Sequence, residues 1–164
     1  MPKEHPMEIF MPPNVLKAKV GSGGIDATVL KRAEQVIEDM KVEFADWIVT
    51  DVDHLSQARQ AFEAQRTEKT LGALYRAAHD LRGQAATFDF PLVARIAHSL
   101  AMLTDGTGQG TGAGVPMVLI DAHVDAIRLI VRDKIKNPAD RMGTVLASEL
   151  ELKTAAFLER QPAR

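Results

Sequence analysis

The sequence predicts an all-α protein: an up-down four-helix bundle with an additional N-terminal helix and an extended N-terminal arm. Three observations carry this. Aromatic residues make up only 5% of the chain while apolar residues reach 46%, with alanine and leucine frequent. Apolar positions recur at steps of three and four over stretches long enough for helices. No segment shows the alternation or the β-branched runs of a strand. At 164 residues, the chain fits one domain with a substantial core.

Residues 1–24 hold Pro2, Pro6, Pro12 and Pro13 and end in a Gly-Ser-Gly-Gly run. Proline removes backbone donors and keeps its predecessor extended, so this segment reads as an arm that docks through Ile9, Phe10 and Val15. A helical bundle is expected over residues 25–160. Asp26 is placed to cap its first helix, with Ile25 and Leu30 forming a hydrophobic staple. Leu30, Ala33, Ile37, Met40, Phe44 and Ile48 make one apolar stripe, which the Thr-Asp-Val-Asp-His stretch from Thr50 is expected to interrupt. A shorter helix then buries Leu55, Ala58 and Phe62.

The next helix starts around residues 67–70 and runs to about residue 88, with Leu71, Leu74, Ala78, Leu81, Ala85 and Phe88 on its core face. Asp89 and Pro91 mark a stop and an immediate restart, Asp89 being expected to cap the following helix. That helix carries Val93, Ile96, Leu100 and Leu103, and so tight a junction implies an antiparallel hairpin. Residues 106–114 form a glycine-rich loop. Gly108, Gly110 and Ala113 match a dinucleotide-binding spacing, but no strand precedes them and the fingerprint needs one. An apolar helix follows Pro116 through Leu119, Ile120, Ile127, Ile130 and Val131. Asn137 and Pro138 are expected to open a last helix toward Arg160.

Composition excludes several function classes. A net charge of −2 argues against a nucleic-acid binder with a broad basic surface. With no cysteine in the chain, disulfides and thiolate chemistry are excluded. No apolar run approaches the length of a membrane span and nothing resembles a signal peptide, so a cytoplasmic protein free of membrane is expected.

The stretch Ala-Ala-His-Asp-Leu-Arg-Gly-Gln-Ala-Ala-Thr-Phe around His79 holds the chemistry. Glycine costs a helix interior about 1 kcal/mol relative to alanine, so Gly83 requires a reason. Counting i, i+3, i+4 and i+7 from His79 gives Arg82, Gly83 and Ala86, a stripe beside the core line through Ala78, Leu81 and Ala85. An imidazole at the margin of a core is a competent nucleophile near neutrality. A phosphoryl group on it is within reach of the Arg82 cation, and two very small residues leave room for another protein's backbone.

The same residues resemble the signature of histidine-containing phosphotransfer (Hpt) domains, close to A-H-x-L-[KR]-G-x-[AS]-x-x-[LF]-G-x-x-x-L, with Ala78, His79, Leu81, Arg82, Gly83, Ala85, Phe88 and Val93 at its positions. The resemblance implies a four-helix bundle in which His79 is phosphorylated reversibly and exchanges the group with an aspartate of a response-regulator receiver domain. It implies Arg82 as the phosphate-neutralising cation and Gly83 as the access residue; Tyr75, Arg76 and Ala86 are expected on the partner surface. Implied partners are a receiver domain and a hybrid histidine kinase. The chain would be a carrier without its own ATP site and would bind no cofactor, the receiver supplying Mg²⁺. Two positions depart from the pattern: Arg82 stands where lysine is commoner, and Asp89 stands where many members have glycine.

Bland readings compete. Gly83 also suits close helix packing, and Arg82 alone reads as a solvated charge. His98 falls level with His79 across the hairpin, where it either bonds a phosphoryl oxygen or points to solvent. His123, in an apolar stretch, reads as a core histidine. Arg76 and Arg95 add positive potential or are simply solvated. His79, His98 and His123 show no zinc-ligand spacing. The alternative function is a helical adaptor that binds a signalling protein without carrying phosphate. A histidine-dependent hydrolase lacks a supporting carboxylate-and-nucleophile constellation.

Overall fold

A computed structural model of the chain describes residues 26–105 and 114–161, the side chains of 41–46 excepted. The expected arm at 1–24, Ile25 of the staple and nearly all of the glycine-rich loop lie outside the described residues. Five helices are described: α1 (Ala27–Ala64), α2 (Glu68–Thr87), α3 (Pro91–Thr104), α4 (Met117–Arg132) and α5 (Arg141–Glu159). There is no strand among the described residues. The fold is the expected all-α bundle.

The chain divides into two compact units, Met1–Asp39 and Met40–Arg164. α1 begins in the first, where Asp26 Oδ1 accepts from the Thr28 backbone N–H at 3.1 Å. The sequence placed a buried stripe on this helix, but Leu30, Ala33, Ile37 and Met40 are exposed. Amphipathic spacing identifies a face that favours a partner without supplying one. The expected break at Thr50 is absent, so the additional N-terminal helix is the first part of α1 itself. Asp and Thr cost a helix only a few tenths of a kcal/mol more than average residues. Ile48, Val52, Leu55 and Phe62 keep a continuous buried face across the stretch.

Within the second unit, α3 is the central element. It packs on α2, α4 and α5, and Leu92, Val93, Ile96, Ala97, Leu100, Ala101 and Leu103 are all buried. α2 and α3 form the expected antiparallel hairpin. α2 opens on a reciprocal cap, the Thr67 side chain accepting from Thr70 N–H and the Thr70 hydroxyl from Thr67 N–H. It buries Leu71, Leu74, Ala78, Leu81 and Ala85 as expected, and Phe88 is half-buried with its ring edge-on to Trp47 at 6.5 Å. α4 is joined to α1 by an Arg59–Asp121 ion pair of 2.7 Å. α5 approaches α3 where Gly143 lies: a Cβ there would sit 2.5 Å from Leu92 Cδ1. Arg95 of α3 makes bonds of 3.0 and 2.7 Å to the two carboxylate oxygens of Glu151 on α5. It is therefore held in an ion pair and contributes no free positive charge to a partner surface.

Two caps differ from expectation. Asp89 does not cap α3, whose N-cap is Phe90 with Pro91 in the first turn and no side-chain cap bond. Asp89 instead closes α2, at φ 67°, while Phe90 N–H reaches back to Ala85 O at 2.9 Å. This left-handed closing position is where glycine is favoured, which accounts for glycine there in the signature. Asp89→Gly should therefore raise stability by about 0.5–1 kcal/mol, read from the denaturant midpoint. An unchanged or lower midpoint would mean that the aspartate contributes more than its backbone conformation costs. The last helix starts three residues later than expected. Asp140 caps it by accepting from Gly143 N–H at 2.8 Å, while Asn137 accepts from Ala139 N–H in a turn before it.

Candidate functional site

α2 presents its buried line to α3 and leaves the adjoining stripe in solvent, which is how periodicity exposes His79. Its side chain is 58% exposed. Nδ1 lies 3.7 Å from Asp80 Oδ1, and the Tyr75 ring stands 6.0 Å away at a 33° tilt. Tyr75 is half-buried against the core, so it fixes one wall beside the imidazole. Arg76, Arg82, Gly83 and Ala86 are exposed on the same helix. The structure therefore brings together every residue the sequence placed on this face.

A Cβ built on Gly83 meets nothing within 4 Å. Packing among the described residues gives no reason for glycine there. Gly143, by contrast, shows what a packing glycine looks like.

His98 faces the site from α3. Its Nδ1 is 3.1 Å from Arg82 Nη1. A guanidinium only donates, so Nδ1 is the acceptor and the ring proton resides on Nε2. His123 is fully buried, as expected, with Nδ1 2.7 Å from Leu119 O and Nε2 2.9 Å from Ser99 Oγ. Burial lowers its basicity below the ordinary histidine range, the Leu119 hydrogen bond partly opposing this.

Sequence reading missed the flank facing α1. Asp51, His54, Ala77, Asp80, Leu81 and Gln84 line a groove of about 360 Å³ beside His79. Asp51 Oδ2 is buried without a hydrogen-bond partner. Burial raises its carboxyl above the usual range; His54 lowers it and Asp80 raises it further. The Thr-Asp-Val-Asp-His stretch that suggested a break was the only signal of this flank. No group of three or more histidines and carboxylates among the described residues is arranged to hold a metal ion.

A helical bundle with an exposed histidine on its hairpin, a cation one turn on and a bare glycine beside it is the form of a phosphotransfer module. The Hpt domain family model matches residues 30–129, more than half of the chain, and the chain belongs to that family. Membership implies histidine-containing phosphotransfer in phosphorelay signalling, where Hpt domains in general meet receiver domains and histidine kinases. No curated protein and no solved structure matches it. No helix among the described residues is long and apolar enough to cross a membrane.

Proposed function

We propose that His79 is the phosphoacceptor and that the chain is a cytoplasmic carrier, exchanging its phosphoryl group with receiver aspartates and fed by a hybrid histidine kinase. The observation that carries this reading is the exposed imidazole one turn from Arg82 and from a glycine that no described residue packs against. Asp80 lies on the Nδ1 side and favours the tautomer protonated there, leaving the Nε2 lone pair free. Nε2 attacks the phosphorus of an aspartyl phosphate. The N–P bond forms, the P–O bond to the aspartate breaks, and the carboxylate leaves with the electron pair. The imidazolium then releases its Nδ1 proton to water. Charge spread over the equatorial oxygens is met by Arg82, and the receiver supplies Mg²⁺. On this reading the chain relays a group that it receives from its partners.

The test is incubation of the purified chain with a panel of phosphorylated receiver domains. Acid-labile, base-stable label mapping to the peptide that contains His79 is the expected result. A receiver that binds and leaves no label would establish the adaptor instead.

Gly83→Ala separates access from packing. With open space around the new methyl, the isolated chain should gain about 0.5–1 kcal/mol from helix propensity. Transfer should fall several-fold because the methyl stands between the imidazole and the incoming backbone. Parallel denaturation and single-turnover transfer measure the two signs. A loss of stability would return Gly83 to a packing role.

A further inference from the structure

We propose that His98 is a positioning residue whose neutral ring holds the Arg82 guanidinium ready for the phosphoryl group, and that acid releases it. This rests on the reading of His79 as acceptor. Arg82 and His98 come from opposite arms of the α2–α3 hairpin, sixteen residues apart in sequence, and meet at 3.1 Å. Both side chains are exposed, so neither is forced into this contact by the core. A free arginine has large rotamer entropy, and an exposed one samples many positions. A single directional bond to a ring fixed on a rigid helix removes much of that freedom before the partner arrives. It uses one of five N–H donors and leaves four for phosphoryl oxygens.

The bond depends on charge. Nδ1 accepts only while it carries a lone pair. Once protonated, it presents an N–H to a cation and the contact becomes repulsive. Histidine is the side chain that changes charge between about pH 5 and 8. Arg82 from α2 is the charged group bonded to the ring. Arg95, one turn back on α3, is tied to Glu151 of α5, so it neither competes for Nδ1 nor replaces Arg82. Among the described residues no hydrogen bond or ion pair joins His98 to α4 or α5. The contact thus exists only while His98 Nδ1 carries its lone pair.

The experiment compares single-turnover transfer from a phosphorylated receiver to the wild type, His98→Ala and His98→Gln across about pH 5.5 to 8. Effects of pH that the two proteins share cancel in the ratio of two rates. The wild type should exceed His98→Ala by about tenfold near pH 8, the worth of one charge-assisted hydrogen bond, and the ratio should collapse toward one near pH 5.5. His98→Gln, whose amide oxygen accepts at every pH, should keep its advantage over His98→Ala throughout. A ratio of one at all pH values overturns the proposal, and so does a constant ratio, which would mark a structural role only. Label absent from all three proteins would remove the acceptor reading and the positioning role with it. The Arg82–His98 contact is read separately from the ¹⁵N shifts of His98, whose Nδ1 should be unprotonated near pH 8. A protonated Nδ1 there overturns the proposal regardless of transfer.

Discussion

His79→Gln should carry no acid-labile label from any receiver, while it folds and binds the receiver as the wild type does. The loss is complete because an amide nitrogen has no lone pair available for attack on phosphorus, whereas the imidazole nitrogen does. The fold is spared because the side chain is mostly in solvent, and glutamine is a slightly better helix former than histidine. What the substitution removes besides the nucleophile is the ring beside Tyr75, an exposed contact worth a fraction of a kcal/mol at most. Phosphopeptide mapping with a binding assay reads both halves. Label persisting on the variant would move the acceptor elsewhere, His54 and His98 being exposed histidines in the same unit. Lost binding together with lost label would make His79 part of the docking surface as well as the nucleophile.

The parts of this molecule that were legible in the sequence are those fixed within one helix. The core line of α2 and the adjoining His79, Arg82, Gly83 and Ala86 stripe follow from 3.6 residues per turn. Pro91 marks the start of α3 because its missing donor is harmless there. The sequence is ambiguous where one residue type suits two positions. Aspartate is favoured both as an N-cap and at a left-handed helix end, and Asp89 takes the second place, at the end of α2. Asn137 and Asp140 are both good caps, and only the turn at Asn137 assigns the helix to Asp140. The stretch from Thr50 contains turn-favouring residues, yet Ile48, Val52 and Leu55 continue the buried face through it. Contacts between helices were the least legible. The groove at Asp51 and the Arg95–Glu151 pair depend on how α1 and α5 lie against the hairpin. Hairpin geometry places His98 level with His79, but the Arg82 bond depends on the rotamers that both side chains adopt.

α5 lies beyond the matched residues 30–129, and its attachment to the bundle makes stability depend on pH. His123 of α4, Ser99 of α3 and Thr154 of α5 meet in the core, with Ser99 Oγ 2.9 Å from His123 Nε2 and 3.0 Å from Thr154 Oγ1. The carbonyl of Leu119 at Nδ1 requires a proton there, and in the neutral ring Nε2 is the acceptor, with the Thr154 hydroxyl 3.4 Å away to donate while Ser99 donates to Thr154. Burial favours that neutral form in the folded chain, while the unfolded chain protonates near the ordinary value of about 6.5. Below that pH the unfolded state binds more protons, so stability falls as pH falls. The slope is at most about 1.4 kcal/mol per pH unit and ends at the depressed folded value. Asp51 works in the opposite direction: its raised carboxyl takes up a proton in the folded state first, so acid favours folding there, and Asp51→Asn removes that offset. His123→Ala should cost about 3 kcal/mol near pH 8, from the cavity and the lost hydrogen bonds. The gap to the wild type should narrow steadily below about pH 6.5, because the variant has no buried imidazole to charge. Urea denaturation of both proteins at half-unit pH steps measures this. Parallel stability curves through that window would mean that His123 takes up its proton inside the folded core as readily as in water, and that the three helices are not joined there by a neutral ring.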